Sequence, residues 1–330
     1  MAQASNRRAR HASTLLIIAA LLGPAGAATA QTASAFDGCP ASSEIAARFD
    51  DFGKTGKMPP DLGRWLSDPK AQAVAPWKPF DNVTFVGACW VSAWAIRTSA
   101  GVVLIDTLHE PHVDQLVANL KQAGIDLAEI KYVLMTHGHF DHAGGAASLK
   151  PLLPNAKFVM TQTGWDEAEE SAKSSVQSPR RWDMIAQDVV ARNGAAITLG
   201  DNTFRIYETP GHTMGTASFT YDVHDGPLTY RAITIGGLGL NAIKDSHQVE
   251  AYIASVDRIN HLVNDVDDPV TVHLTTHPFA TSLFEARDKL AARKPGEPNP
   301  LIDPKALLSQ TSGLRANSEQ RLEIERKAGR

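Results

Sequence analysis

The stretch THGHFDHAGG, residues 136–145, places three histidines and one aspartate within six positions, between an apolar run and a pair of glycines. These residues are His137, His139, Asp141 and His142. Imidazole and carboxylate groups are suitable zinc ligands at neutral pH, and four crowded polar side chains need partners. Because side chains of an extended backbone repeat with a period of two, His137 and His139 project to the same side. The stretch therefore predicts a metal site.

The residues on both sides of this stretch predict an α/β fold. KYVLMT, residues 131–136, is an apolar run typical of a strand that is buried on both faces. Pro111 and Gly124 bound a helical pattern before it, and a second helix is expected at about 146–152. The histidine-rich turn therefore follows the carboxyl end of a central strand, where open α/β sheets bind their ligands.

Further β-rich segments indicate one large domain. They are VTFVGA, WVSAWAIRT and VVLID before the turn, and KFVMT, TFRIYETP, ASFTYD, YRAITIGG and VTVHLTT after it. Helices are expected near 164–172 and at about 246–263. Nothing between 82 and 293 separates two cores. Residues 31–81 are expected to form an irregular arm packed on this domain, and residues 294–330 a linker and a charged, solvated C-terminal helical segment.

Two later histidines occupy positions like that of the first cluster. His212 lies in ETPGHTMGTAS, directly after the strand TFRIYE, and His277 follows the strand VTVHLTT. Three protein ligands leave a position open for water, as a catalytic zinc ion requires. If the strand-to-loop junctions meet at one edge, two metal sites are expected, one of His137, His139 and His212 and one of Asp141, His142 and His277.

The combination of HxHxDH, PGHTxG and a late histidine at a strand end resembles the metallo-β-lactamase superfamily over roughly residues 82–290. The resemblance implies an αββα sandwich and two Zn²⁺ ions, although iron and manganese occupy related sites in this superfamily. Many of its hydrolases, lactone-cleaving and thioesterase-like members included, carry a bridging aspartate after the strand that here reads AITIGGLGLN, residues 232–241. Gly236, Gly237 and Gly239 offer no such ligand. This departure is similar to the third subclass (B3-type) of metallo-β-lactamases.

That resemblance implies a secreted dizinc hydrolase that opens the amide bond of β-lactam rings by attack of a metal-bound hydroxide, with Asp141 as ligand and catalytic group. Members of the subclass usually hold the substrate carboxylate with serines, and GGLGLN has none. The alternatives are a zinc-dependent lactonase or other esterase of the same fold, and a non-catalytic zinc-binding protein. The candidate substrate contacts are Asn241 on this loop and Arg180, Arg181 and Trp182 in the polar segment 171–183.

The first thirty residues predict an export signal. Three arginines in residues 7–10 precede the apolar stretch 15–22, and Ala28-Thr29-Ala30 matches the pattern at which signal peptidase cuts. The apolar run is well short of the roughly 20 residues that span a membrane. Cleavage after Ala30 would change the net charge from −4 to −7. A periplasmic or secreted protein is expected, with a small-molecule substrate, no stable membrane anchor and no nucleic-acid partner.

Two roles stay open in the sequence. Cys39 and Cys89 are the only cysteines and can pair in an oxidising compartment, but a sequence gives no measure of their separation. Asp106, which closes the segment VVLID, is expected either to orient a metal-binding imidazole or to serve a turn. The oligomeric state is not indicated.

Overall fold

The computed structural model describes residues 38–55, 57–178 and 180–329, so the expected export signal lies outside the described residues. None of the described helices is both long and apolar enough to cross a membrane. The helices are α1 (Ser42–Thr55), α2 (Pro60–Leu66), α3 (Val113–Gln122), α4 (Phe140–Ala143), α5 (Ala146–Leu149), α6 (Gln162–Ser174), α7 (Ser246–Val263), α8 (Leu283–Ala291) and α9 (Pro304–Lys327). The strands are β1 (Trp77–Phe80), β2 (Val83–Phe85), β3 (Trp94–Thr98), β4 (Gly101–Ile105), β5 (Ile130–Leu134), β6 (Lys157–Thr161), β7 (Val189–Ala191), β8 (Ala196–Leu199), β9 (Asn202–Glu208), β10 (Ala217–Asp225), β11 (Leu228–Thr234) and β12 (Val270–His273).

Two β-sheets form the centre of the fold. The first has seven strands in sequence order, β1 to β7, with antiparallel pairs up to β4 and parallel pairs from β4 to β7. The second has five strands in the order β12-β11-β10-β9-β8, and β12 joins β11 in parallel. The sheets pack on each other and helices cover their outer faces. The predicted αββα sandwich is confirmed.

The two sheets share one apolar core. Trp94, Phe85 and Phe158 of the first sheet and Phe204 and Phe219 of the second are almost completely buried in it. The rings of Phe85 and Trp94 meet edge to face with their centroids 5.2 Å apart. Burial of each such side chain stabilises the fold by about 1.5 to 3 kcal/mol. The core therefore fixes the sheet edge from which the histidine-rich turn extends.

The prediction that residues 31–81 form an irregular arm is wrong for the described part of this segment. It contains α1 and α2, and β1 is already the edge strand of the first sheet, so the domain begins before residue 82. The proline-rich composition concealed α2 because Pro60 stands in its first turn, where a missing N–H costs nothing. A disulfide joins Cys39 to Cys89, with their Cα atoms 5.1 Å apart, which settles the open pairing.

The C-terminal segment is also more than a linker and a solvated helix. The carboxylate of Asp303 accepts a hydrogen bond from the backbone N–H of Ala306 (2.9 Å), and α9 begins there and packs along α7. The buried stripe of α9 is mostly polar, so its hydrophobic pattern gave no sign of packing. Its buried residues are Leu307, Thr311, Ser318 and Glu325.

Candidate metal centre

Three imidazoles meet beside the ends of β5 and β9. His137 and His139 belong to the turn after β5, and His212 belongs to the loop after β9. The Nδ1 atom of His139 lies 3.1 Å from Nε2 of His137 and 3.0 Å from Nε2 of His212. Ligand atoms of a tetrahedral zinc site, with bonds of about 2.0 Å, lie roughly 3.3 Å apart. The three nitrogens are therefore spaced to hold one ion.

A second group of three lies next to the first. It consists of Asp141, His142 and His277. Nε2 of His142 lies 3.3 Å from Nε2 of His277 and 3.2 Å from Oδ2 of Asp141, and the third separation is 3.6 Å. The rings of His137 and His142 connect the groups, with centroids 4.3 Å apart. The structure thus brings both predicted triads together, and their role as ligands stays a prediction.

The charges of the centre fit bound cations. Burial lowers the pKa of His137 well below its usual value, that of His212 to about 3 and that of His277 to about 4, so these rings are neutral and carry a lone pair. Burial acts in the same direction on His142, but the nearby carboxylates, Asp141 first, raise its pKa to about 10. The two carboxylates therefore favour positive charge beside His142.

Hydrogen bonds fix the tautomer of three of the rings. The Nδ1–H groups donate to acceptor oxygens, from His142 to Asp106 (2.8 Å), from His277 to the carbonyl of Trp90 (2.7 Å) and from His212 to the carbonyl of Gly239 (2.6 Å). A neutral imidazole that donates through Nδ1 presents the lone pair of Nε2, and His142, whose pKa is raised, has to release its second proton in order to bind a metal ion. In each case that is the nitrogen directed at the other residues of its group.

Asp106 connects the two groups. Its Oδ1 accepts the N–H of Thr136 (2.8 Å), and its Oδ2 accepts the Thr136 hydroxyl (3.0 Å) as well as His142. Because that hydroxyl donates to Asp106, it accepts the Nδ1–H of His137 at 3.1 Å. One buried carboxylate therefore orients a ring in each group, which decides between the two roles that the sequence left open.

The loop of His212 is held from two sides. The carboxylate of Glu167, on α6, accepts the N–H groups of Met214 (2.9 Å) and Gly215 (3.0 Å). On the other side, the amide of Gln248, on α7, donates to the carbonyl of His212 at 3.2 Å. Sequence reasoning missed Glu167, Gln248 and Trp90. In each case one partner in the hydrogen bond is a backbone group, and no spacing of residues in a sequence identifies such a contact.

The candidate substrate contacts separate in the structure. Trp182 is buried in the core, and the Ser175 hydroxyl accepts its backbone N–H at 3.1 Å. Its contact with substrate stays a prediction. Arg181 is exposed and lies 3.5 Å from Asp183. The guanidinium of its neighbour Arg180 instead lies over the ring of Phe140, 5.7 Å from the ring centroid. Phe140 itself stands between two candidate ligands in the sequence, His139 and Asp141.

Asn241, the remaining candidate contact, is exposed on the loop beside His212. A Cβ atom placed on Gly239 would lie 2.3 Å from the side-chain oxygen of Asn241 and 3.9 Å from Cε1 of His212. The Asn241 side chain therefore folds over Gly239 at the edge of the centre. Its contact with substrate stays a prediction.

Comparisons with known proteins agree with this geometry. Residues 86–226 match the sequence model of the metallo-beta-lactamase superfamily. The chain is similar to BJP-1, a subclass B3 metallo-beta-lactamase of Bradyrhizobium japonicum, with 25% identity, a TM-score of 0.68, and coverage of 78% of this chain and 97% of that one.

Two curated proteins are also similar over part of their length. A hydroxyacylglutathione hydrolase of Rhodopseudomonas palustris is 29% identical over 137 residues, which are 42% of this chain and 45% of the relative. The mitochondrial persulfide dioxygenase of Homo sapiens is 29% identical over 145 residues, which are 43% of this chain and 47% of the relative. The chain therefore spans less than half the length of these two relatives.

Proposed function

The chain carries a metallo-beta-lactamase domain, and from that premise we propose that it is a dizinc hydrolase that opens the amide bond of β-lactam rings. The observation that carries the proposal is the pair of three-residue groups, in which no described carboxylate belongs to both sets of candidate ligands. At Gly237 (φ +67°) a Cβ atom would lie 2.5 Å from Cβ of His212. A bridging aspartate therefore has no room at that position, which favours the B3-type arrangement.

We propose one ion in each group, held by His137, His139 and His212 and by Asp141, His142 and His277. When bound, zinc would supply hydroxide at neutral pH and polarise the carbonyl of the substrate. Asp141 is the candidate proton acceptor. Burial raises its pKa, but His142 and the other imidazoles lower that pKa well below the usual value, so the group is ionised at neutral pH. Asp106 holds the rings in the required tautomer.

The charges around the centre support an anionic substrate such as a β-lactam carboxylate. Arg180 lies over Phe140. Lys244 follows the GGLGLN stretch, and its backbone N–H donates to the side-chain oxygen of Gln248 at 3.0 Å. The same Gln248 side chain donates to the carbonyl of His212. Neither cation has an ion-pair partner within the described residues. With no serine on the loop, these two side chains are the proposed substitutes for the carboxylate contact.

A lactonase or other ester hydrolase is the second candidate. The lack of hydroxyl groups on GGLGLN favours it, and one curated relative is named as a hydroxyacylglutathione hydrolase. A non-catalytic zinc protein is the third. We also propose that the protein is exported, since the sequence begins with a signal-like segment and the structure pairs Cys39 with Cys89, as is usual in oxidising compartments.

A comparison of substrates tests the proposal. Purified protein is expected to hydrolyse a chromogenic cephalosporin, to lose this activity with a chelator and to regain it with zinc. Hydrolysis of lactones without cephalosporin turnover would establish the second candidate, and tight zinc binding without either activity would establish the third. Arg180→Gln is expected to raise KM for the cephalosporin several-fold. The control, Arg205→Gln, removes an exposed cation on β9 that is not a candidate substrate contact, and it is expected to leave KM unchanged.

A further inference from the structure

The loop of residues 236–245, between β11 and α7, is held mainly by side chains. Five of its carbonyl groups accept side-chain donors from outside the loop. Tyr252 and Gln248 of α7 donate to Leu238 (2.8 Å) and Ala242 (3.3 Å). His212 donates to Gly239, and Arg321 donates to Ile243 at 3.0 Å. A loop with its carbonyls bound in this way has one preferred conformation.

Arg321 reaches this loop from the last turns of α9. Its guanidinium donates to the carbonyl of Leu240 at 3.4 Å as well as to that of Ile243. The planar group therefore joins two carbonyls that are three residues apart in the loop. Its Nε donates to the fully buried carboxylate of Glu325 at 2.6 Å. A buried carboxylate is stable only with such a partner, so the guanidinium is fixed in position.

The loop in turn contacts a residue of the metal centre on two sides. Gly239, whose carbonyl accepts the Nδ1–H of His212, directly precedes Leu240, the first carbonyl that Arg321 binds. Gly237 approaches so closely that a Cβ atom there would lie 2.6 Å from the Cγ and Cδ2 atoms of the His212 ring. A displacement of the loop would therefore move the ring or break its hydrogen bond.

We propose that Arg321 is a positioning residue for the three-histidine group, acting through the 236–245 loop on the orientation of His212. The C-terminal helix is then part of the scaffold of the metal centre. The inference rests on the proposed function only in that this group binds a metal ion. Because metal affinity falls about 10- to 100-fold when a direct partner of a ligand is lost, we expect about 10-fold for this indirect contact.

The test compares Arg321→Met with Arg326→Met in the full chain. Arg326 lies on the same helix and forms an exposed ion pair with Glu250 at 2.7 Å, away from the loop, so it is the matched control. Zinc affinity is measured by competition with a chromophoric chelator. The imidazole N–H proton resonance of His212, identified by its loss in His212→Gln, is followed by NMR in the presence and absence of zinc.

Arg321→Met is expected to bind zinc about 10-fold more weakly and to shift or lose the His212 resonance, whereas Arg326→Met matches the unmodified protein in both. Unchanged affinity and resonance in Arg321→Met overturn the inference, even if its melting temperature falls. If Arg321→Met does not fold, Arg321→Lys, which keeps a charge beside Glu325, is measured in its place with the same criteria. An unmodified protein that binds no zinc contradicts the proposed function, while the resonance in the zinc-free protein still tests the role of Arg321.

Discussion

Replacement of Asp106 by asparagine should weaken both halves of the metal centre. The carboxylate accepts three hydrogen bonds, two from Thr136 and one from His142, with two oxygens. An asparagine has one oxygen and places an NH₂ group against at least one of these donors. If that group faces His142, the ring must hold its proton on Nε2, the nitrogen that would bind the metal.

The size of the effect follows from these contacts. Loss of a partner of a metal-binding imidazole lowers metal affinity by about 10- to 100-fold, and a buried donor without an acceptor costs about 1 to 3 kcal/mol. Asp106 has φ +61°, a conformation that asparagine tolerates. Asp106→Asn therefore isolates the hydrogen-bond effect. Asp106→Ala adds a backbone cost of about 1 to 2 kcal/mol.

The assay is zinc competition together with denaturant unfolding of chelator-treated protein. Both variants are expected to lose metal affinity by at least about 10-fold, and only the alanine variant should show the additional backbone cost in its free energy of unfolding. Asp114→Asn, which changes an acidic residue in the first turn of α3, serves as a control for the loss of one charge. An Asp106→Asn protein with the affinity and stability of the unmodified chain would refute the assigned role.

Three further changes test other parts of the account. Gly215→Ala puts a Cβ atom 2.2 Å from the backbone nitrogen of Gly164, so unfolding measurements should show a loss of about 1 to 3 kcal/mol, and full stability would contradict the close loop contact. Cys39→Ser removes the disulfide to Cys89, whose two cysteines are 50 residues apart in the sequence. Chain entropy predicts that the free energy of unfolding in denaturant falls by about 4 kcal/mol, and an unchanged unfolding midpoint would contradict a stabilising disulfide. Burial lowers the pKa of His273 to about 4 from 6.5, so its stabilising contribution is present above pH 6.5 and is lost as the pH falls towards 4. Between pH 8 and pH 5, the free energy of unfolding of His273→Asn should therefore fall by about 2 kcal/mol less than that of the unmodified protein, measured with chelator present. An equal fall in the two proteins would exclude this effect.

Most of the candidate site could be predicted because its side chains are dense in sequence or follow recognisable strands. HxHxDH identified four residues, and the junctions after β9 and β12 identified His212 and His277. The α7 boundaries, Ser246 and Val263, also agree with the predicted helix, since its apolar residues recur at helical spacing. Local pattern and the chemistry of the side chains are enough for such features.

The remainder depends on contacts between distant segments. The role of Trp90 is to offer a backbone carbonyl to His277, 187 residues later, and any residue type offers a carbonyl. The packed stripe of α9 is polar, so it resembles a solvated helix until the partners on α7 and the 236–245 loop are known. Arg180 is exposed, whereas Trp182, two residues later, packs in the apolar core formed by distant segments. No periodicity in the sequence distinguishes the two.

Metal analysis of the purified chain, with and without His212→Ala, tests the central claim most directly. Two equivalents of zinc are expected for the unmodified protein. His212→Ala is expected to keep the ion bound by Asp141, His142 and His277, giving about one equivalent. A single equivalent in the unmodified protein, or an equal zinc content in both, would contradict two adjacent sites with separate ligands.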